Sequence, residues 1–287
     1  MTHRLNRMLL LLLVLVGLPF GWLMLNASTS DTSRKPVTIG QLRRLAAALP
    51  GDPPLEVRYE TVGLRRIAGD MLAAGSGLRP MAFMIRAYQL VLPQGGTIII
   101  DRGMHRSLVE KHRVRDFDPL AQASIDRALD GSALTLLLSH DAQHSGRESA
   151  PIAQSMPTRD PPPFPVAPGV VVVPTPRIFP GKQMVYVRLR NGREWLFAGD
   201  VAPVNVAWQE TRPPARFRTS FLVDDDREEI AAWLRTIAAL KAAAPALQIV
   251  AGHDGNIPRE LIHGFVRDLV ARRNEDDKRL AQRASMR

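Results

Sequence analysis

Four apolar runs of this sequence each end in an aspartate or a histidine. Asp101 ends the first run, His140 and His144 follow the second, Asp200 ends the third and His253 follows the fourth. Neutral imidazole and carboxylate groups are natural ligands of Zn²⁺, and the ends of buried strands hold such ligands rigidly. If the four strand ends converge, these side chains can form a metal site.

Each of these features, taken alone, also has a simpler interpretation. A Gly-Asp pair after a strand is usually a turn, so Asp200 can serve only to accept hydrogen bonds from backbone amides. Asp101 can cap a turn through its carboxylate. His140 and His144 can be solvated loop residues, and His253 can be a packing histidine. The order and the spacing of the four segments therefore decide the interpretation.

That order resembles the metallo-β-lactamase superfamily. In this family a strand ending in Asp-x-Gly precedes a His-x-His-x-Asp-His loop, a Gly-His turn, a Gly-Asp strand end and a final Gly-His. Here Asp101 and Gly103 match the first element, His140 begins the second, and His253 matches the last histidine. Asp200 matches the aspartate that bridges two metal ions in the family.

The resemblance covers roughly residues 50 to 265. It implies an α/β fold, a four-layer αββα sandwich of the metallo-β-lactamase type, which an N-terminal hydrophobic helix precedes here. The expected organisation is a signal or membrane anchor over 1–27, a linker over 28–37, a metallo-β-lactamase-like domain over 38–270 and a charged tail over 271–287.

Two metal-binding histidines of the family are replaced in this chain. An alignment that starts at His140 places Ala142 at the second histidine of the loop, and Ile178 stands where the later turn has its histidine. His144 then matches either the loop aspartate's position or, with one deletion, the last histidine of the loop. Asp141 is adjacent, but neighbouring side chains at a strand end point in different directions, so we do not expect it to face the site.

With these replacements, the resemblance implies at most one zinc ion, or none. The candidate metal ligands are His140, His144, Asp200 and His253, and Asp200 is also the candidate catalytic residue because a carboxylate ligand can orient a water molecule. Two hypotheses stay open: a degenerate hydrolase-like protein whose activity is lost or strongly reduced, and a mononuclear zinc hydrolase of an ester, lactone, thioester or phosphoester. The sequence does not define the small-molecule substrate or ligand.

The elements that must position these residues are predicted from apolar periodicity and turn residues. Strands are predicted at Leu55–Val62, Met81–Leu92, Thr97–Ile100, Leu134–Leu138, Val170–Val173, Met184–Leu189, Trp195–Ala198 and Gln248–Val250. Helices are predicted at Asp118–Leu129, Asp225–Ala243 and Arg259–Arg272, and a short amphipathic helix or an ordered connector is predicted at Thr38–Ala48. The proline-dense stretch from Ser155 to Gly169 predicts an extended loop.

The N-terminus has the pattern of an export signal or membrane anchor. Arg4 and Arg7 precede the uncharged apolar run Met8–Leu25, which is close to the minimum length that spans a bilayer. A small-x-small cleavage site ending at Ala27 would need a small residue at the position of Leu25, and its absence favours an uncleaved anchor. We therefore expect an exported protein, anchored in the inner membrane and facing the periplasm, or periplasmic after cleavage.

Composition excludes some chemistry and limits the partners. The 287 residues include no cysteine, so disulfides, thiolate ligands and a cysteine nucleophile are excluded. The net charge of +10 comes mainly from scattered arginines without a dense basic block, which does not favour nucleic acid as a partner. The expected partners are a small molecule and, through the N-terminal segment, a membrane.

Overall fold

The computed structural model describes residues 2–29, 33–148, 160–177, 181–222 and 226–266. The α-helices are α1 (Thr2–Phe20), α2 (Ile39–Ala46), α3 (Gly69–Leu72), α4 (Pro119–Asp130), α5 (Ala142–Ser145), α6 (Asn205–Gln209) and α7 (Arg227–Ala243). The strands are β1 (Glu56–Ala68), β2 (Pro80–Val91), β3 (Thr97–Ile100), β4 (Leu134–Leu136), β5 (Phe164–Ala167), β6 (Val170–Pro174), β7 (Gln183–Arg188), β8 (Glu194–Gly199), β9 (Gln248–Ala251) and β10 (Ile262–His263). Short π-helical turns occur at Gly21–Leu25 and Arg218–Leu222, and a 3-10 turn at Arg106–Leu108.

The strands form two mixed sheets of five strands each. The first sheet has the order β10-β1-β2-β3-β4 and the second has the order β5-β6-β7-β8-β9. In each sheet the last strand pairs in parallel, β4 with β3 and β9 with β8. The loops that follow these parallel strands therefore begin at the same edge as the loops that follow β3 and β8, which brings the predicted site segments together.

Alternating side chains of β3 explain how the first sheet is covered on both faces. Ile98 and Ile100 pack between the two sheets together with Val172 and Phe197 of the second sheet. Ile99 points the opposite way and packs with Ile125 of α4. Because successive strand residues face opposite sides, one all-apolar strand contributes to two separate cores.

The second sheet shows the same alternation. Trp195 of β8 is buried between the sheets, whereas Leu196 packs with Trp233 and Leu234 of α7 on the outer face. Helices thus cover the outer face of each sheet, and the order of layers is α, β, β, α. The predicted four-layer sandwich with a preceding N-terminal helix is confirmed.

All eight predicted strands and three of the four predicted helices are present. Their ends differ from the predicted ends by a few residues, and β1 extends six residues beyond its predicted end at Val62. Two helices begin directly after aspartates whose side chains cap them. The side chain of Asp118 accepts hydrogen bonds from Leu120 and Ala121, and that of Asp226 accepts them from Glu228 and Glu229. A carboxylate at this position satisfies amides that have no partner within the helix.

The predicted helix at Arg259–Arg272 is wrong over its described part. Residues 259–266 form a turn and then β10, which pairs in parallel with β1. The amide of Gly264 donates to the carbonyl oxygen of Tyr59, and that of Phe265 donates to the Glu60 carboxylate. Pairing with an existing strand edge therefore overrides the local helical pattern, and residues 267–272 lie outside the described residues.

The proline-dense loop is also shorter than predicted, because β5 occupies its second half. Phe164 pairs with Val172, and the register shifts between Pro165 and Ala167. Proline is compatible with this strand because β5 lies at the edge of its sheet, where one side needs no partner. Residues 155–159 of the predicted loop lie outside the described residues.

At the N-terminus, the helical stretch His3–Leu25 has a mean hydropathy of 2.5 in its most apolar window, and only 6% of that window is buried. By length and composition this stretch can cross a membrane or serve as a signal anchor. The domain boundaries proposed from the sequence stay predictions.

Candidate metal centre

Three side chains from different loops converge on a single point. The Nε2 atoms of His144 and His253 are 3.1 Å apart, and Asp200 Oδ1 lies 3.1 Å from the His253 Nε2 and 3.3 Å from the His144 Nε2. Ligands bound tetrahedrally to zinc at 2.0–2.1 Å are separated by about 3.3 Å. The three atoms therefore fit one face of a tetrahedral zinc site.

Two glycines allow Asp200 and His253 to come together. Asp200 follows β8 and His253 follows β9, directly after Gly199 and Gly252. A Cβ on Gly252 would lie 2.5 Å from the carbonyl oxygen of Gly199, closer than real Cβ contacts. The Gly-Asp and Gly-His pairs of the sequence are thus explained by the close approach of two strand ends.

The His253 ring is oriented by the first sheet. Its Nδ1–H donates to the carbonyl oxygen of Met84 at 2.8 Å, and its ring stacks on Phe83 with centroids 3.6 Å apart. A carbonyl oxygen only accepts hydrogen bonds, so Nδ1 carries the proton and the lone pair of Nε2 points into the site. Burial lowers the pKa of His253, which keeps the ring neutral as a metal ligand must be.

Asp101 orients the His144 ring. Asp101 Oδ2 lies 2.8 Å from His144 Nδ1, and its other oxygen accepts a hydrogen bond from the amide of Leu138 at 2.9 Å. This contact directs the Nε2 atom of His144 toward Asp200 and His253. Asp101 therefore positions the His144 ring, and its bond to Leu138 also fixes the loop after β4, as the capping interpretation requires.

Opposite charges couple His144 to Asp200. Although burial opposes a charge on the imidazole, the carboxylates of Asp101 and Asp200 raise the pKa of His144 well above its usual value. Although burial also opposes the carboxylate charge, His144 and His253 hold the pKa of Asp200 well below its usual value. The site therefore stabilises a cation at this point, either a proton or a metal ion.

The expectation that Asp141 points away from the site is wrong. Burial and then the negative charge of Asp200 raise the pKa of Asp141, so the two carboxyl groups are neighbours. Asp141 precedes the one-turn helix α5, and His144 lies three residues later on it. Residues three apart share a helix face, and this spacing is the signal that could have identified Asp141.

Lys182 is a further charged residue of the centre, and no motif in the sequence identified it. Lys182 is 5% exposed, and its positive charge lowers the pKa of both Asp141 and Asp200. The amide of the next residue, Gln183, donates to the carbonyl oxygen of Leu138 and thus joins β7 to the histidine loop.

The structure does not bring His140 into this group. His140 is exposed, and its ring lies over Gly181, where an added Cβ would be 2.1 Å from the His140 Cδ2 atom. The loop turns at Ser139, whose hydroxyl accepts a hydrogen bond from the amide of Asp141, so the residue between them projects outward. Of the four predicted ligands, the structure thus groups three, His144, Asp200 and His253, and leaves His140 outside the cluster.

Of the two residues that replace family histidines, the structure describes Ala142 but not Ile178. Ala142 is 1% exposed and packs with Met104 and Ile125 in the core behind the first sheet. A metal ligand is thus replaced by an apolar contact. Ile178 lies outside the described residues, as do residues 179 and 180.

Solved structures share this arrangement of two sheets. A quorum-quenching N-acyl homoserine lactone lactonase superposes with a TM-score of 0.55 at 16% identity, over 71% of this chain and 93% of that chain. An N-acyl homoserine lactone hydrolase with the product N-hexanoyl-L-homoserine bound at its catalytic metal centre gives a TM-score of 0.55 at 15% identity, over 71% and 94%. A probable metal-dependent hydrolase from Staphylococcus aureus gives a TM-score of 0.53 at 11% identity, over 72% and 92%.

The chain has the metallo-β-lactamase fold. No family model matches the sequence, and no curated protein sequence matches it either. The similarity to metallo-β-lactamase-fold hydrolases is thus a similarity of structure at 11–16% identity.

Proposed function

We propose that this protein is a hydrolase that uses one zinc ion, held by His144, Asp200 and His253, to cleave an ester, lactone, thioester or phosphoester. The observation that supports this most directly is the set of three ligand atoms separated by 3.1–3.3 Å. Both imidazole rings are oriented by hydrogen bonds from their Nδ1 atoms. Three protein ligands are the number that catalytic zinc sites commonly use.

The cost of this arrangement also supports a cation. The histidines are each 1% exposed, and the buried Oδ2 atom of Asp200 accepts no hydrogen bond from the described residues. A buried polar atom without a partner costs about 1–3 kcal/mol. In a degenerate site that binds nothing, substitution of these buried polar side chains by apolar ones would stabilise the fold.

The charges close to the ligands fit one divalent ion better than two. The carboxylates of Asp101, Asp141 and Asp200 carry three negative charges, and Lys182 carries one positive charge. A single Zn²⁺ brings this set to neutrality, whereas a second ion would leave an excess of positive charge in a buried place. Lys182 thus supplies the charge that a second metal supplies in bridged pairs.

Bound zinc would supply Lewis-acid chemistry, polarising the scissile group and acidifying a water molecule. Asp141 is the side chain best placed to accept or return a proton, because it is only partly buried and its raised pKa is closer to neutrality than that of an ordinary aspartate. Asp101 and the Met84 carbonyl hold the two imidazoles in place while the proton moves.

Lactones are the first substrate class to test, since two similar structures are lactone hydrolases. The full-length protein in detergent is assayed on N-acyl homoserine lactones of short and long acyl chain, a nitrophenyl ester, a thioester and a phosphodiester. We expect zinc-dependent turnover of at least one class, lost in His253→Ala. A zinc-loaded protein that hydrolyses none of these faster than His253→Ala would instead be a degenerate member that only binds.

We also propose that α1 stays attached as an anchor and holds the domain at a membrane. Its length and its apolar, exposed surface support this location. Fractionation of cells expressing the full chain is the test. Recovery in the membrane pellet, resistant to high salt and extracted by detergent, is expected, and recovery in the soluble fraction would contradict the anchor.

A further inference from the structure

The segment after the apolar helix is held by a buried arginine of α7. Arg227 is 7% exposed, and its guanidinium donates to the carbonyl oxygens of Ser28 at 2.7 Å, Asn26 at 2.8 Å and Pro214 at 3.2 Å. A buried guanidinium needs acceptors for its five N–H groups. Residues 26–28 therefore belong to the hydrogen-bond network of the folded domain.

Other contacts hold the end of the apolar helix itself. The guanidinium of Arg216 lies 4.3 Å above the Trp22 ring and also donates to the carbonyl oxygen of Ser28 at 2.9 Å. Met24 is 9% exposed, and a Cβ on Gly75 would lie 3.2 Å from the carbonyl oxygen of Leu25. The helix thus ends against two loops of the domain.

Large apolar side chains are exposed on the two segments that contact the end of the helix, one around Gly75 and the other from Arg216 to Leu222. Phe217, Phe221 and Leu222 are 36%, 67% and 59% exposed, and Leu78, in the loop that contains Gly75, is 55% exposed. The rings of Phe217 and Phe221 have centroids 5.6 Å apart. We call these four residues and Trp22, which is 55% exposed, the apolar patch.

We propose that the apolar patch lies in the interfacial layer of the bilayer that α1 crosses, so that the domain sits on the membrane surface in a fixed orientation. The proposal depends on the membrane anchoring proposed above and does not depend on hydrolase activity. It goes beyond an anchor, because it assigns a face of the domain to lipid.

Continuity with the apolar helix selects lipid as the occupant. Trp22 belongs to the helix and is in contact with Arg216, the neighbour of Phe217 in the patch. Aromatic and arginine side chains are typical of the headgroup region, where rings and cations meet both water and acyl chains. Exposed apolar side chains in one region also need a partner.

The position of a single label tests the proposal. The chain has no cysteine, so Phe221→Cys gives one reactive thiol in the full-length protein. The control is Leu120→Cys. Leu120 is 75% exposed and lies on α4, the helix that covers the first sheet. Each variant is labelled with an environment-sensitive fluorophore and reconstituted in vesicles of phosphatidylethanolamine and phosphatidylglycerol.

We expect the label at 221 to emit at shorter wavelength than the label at 120, and brominated acyl chains to quench it several-fold more strongly. Water-like emission from both labels, without quenching, would overturn the proposal. Short-wavelength emission at 221 that brominated lipid does not quench would also overturn it, because the patch would then be covered by protein. Leu222→Cys repeats the measurement if the first variant is unstable.

Intact mass tests the docked segment independently. A mass that includes residues 1–29 is expected, since removal of residues 1–27 would take away the Asn26 carbonyl that Arg227 binds. A mature mass that begins at or after residue 26 would overturn the proposal, because the patch would then have no attached membrane helix.

Discussion

The Nε2 atoms of His144 and His253 face each other at 3.1 Å, and each ring is oriented by a hydrogen bond to a different part of the first sheet. Two imidazole lone pairs at this separation repel each other unless a cation lies between or beside them. In the absence of a metal, a proton shared with Asp200 meets this need. Metal binding must then release that proton, so the affinity for metal rises with pH.

The first prediction concerns metal content. Wild-type protein is expected to retain about one zinc per chain, whereas His144→Ala and His253→Ala lose it because two ligands cannot hold the ion. Inductively coupled plasma mass spectrometry on full-length protein measures this. His140→Ala is the matched control, since His140 lies in the same loop and is exposed. Loss of zinc in the control would show that the exposed histidine is a ligand after all.

Asp141 is predicted to transfer protons during the reaction without binding the metal. Asp141→Asn should lower kcat by about 10²–10⁴-fold, the usual contribution of a general acid or base. Its zinc content should stay at the wild-type value. A variant that loses zinc together with activity would contradict this division of roles. Glu110→Gln, which removes an exposed carboxylate elsewhere, should change neither quantity.

Lys182 is predicted to set the pH range of activity. Its charge lowers the pKa of Asp141 and Asp200, so Lys182→Met should raise the pKa of Asp141 further. If Asp141 accepts a proton, the acid limb of the profile of kcat/KM against pH then moves to higher pH. Lys182→Arg keeps the charge and should move that limb much less. Profiles that coincide for wild type and Lys182→Met would contradict this electrostatic role.

Gly252 is predicted to be essential for the geometry of the site. Its Cα approaches the end of β8 so closely that Gly252→Ala must separate Asp200 from His253, and zinc should be lost. Gly255→Ala is the matched control, because a Cβ there would meet nothing within 4 Å. Zinc content and the midpoint of thermal unfolding report the two effects. Equal values for both alanine variants would contradict the steric argument.

Stability at acid pH is predicted to depend on Glu194. Arg43 donates two hydrogen bonds to this carboxylate, at 2.8 and 2.7 Å, and Tyr186 donates a third. Hydrogen bonds from Arg43 lower the pKa of Glu194 below its usual value near 4.5, against the opposing effect of burial. The folded state thus binds this proton less tightly than the unfolded state does.

The resulting stabilisation is present above pH 4.5 and is lost as the pH falls through the lower pKa of the folded state. Glu194→Gln should therefore unfold at lower temperature at pH 7 and show a weaker decline below pH 4.5. Thermal unfolding measured from pH 3 to pH 7 in detergent tests both effects. Parallel curves for the two proteins would exclude the linkage.

Periodicity identified the strand ends, but it was the resemblance to the metallo-β-lactamase superfamily that implied the convergence of His144, Asp200 and His253, together with His140. The sequence could not predict the direction of a side chain inside a loop. His140 and Asp141 are adjacent, yet a single turn at Ser139 places one in solvent and the other beside Asp200. Lys182 was not recognisable either, since a buried lysine has no sequence pattern that separates it from a solvated one.

Long-range pairing explains the errors in the fold. The segment at 259–266 has helical spacing, but the edge of β1 offers backbone partners that a helix cannot use. The prolines before Gly169 indicate a loop, whereas an edge position tolerates Pro165 in β5. In both places the decisive partner lies far away in the chain, and local patterns do not reveal it.

The three proposed metal ligands come from both halves of the sandwich. His144 follows the last strand of the first sheet, whereas Asp200 and His253 follow strands of the second. An ion bound by all three would cross-link the sheets, and unfolding would then require its release. At a free concentration 1,000 times the dissociation constant, such linkage adds about 4 kcal/mol to the free energy of unfolding. Chelation should thus weaken the whole sandwich, so that the supply of metal also governs how long the protein lasts.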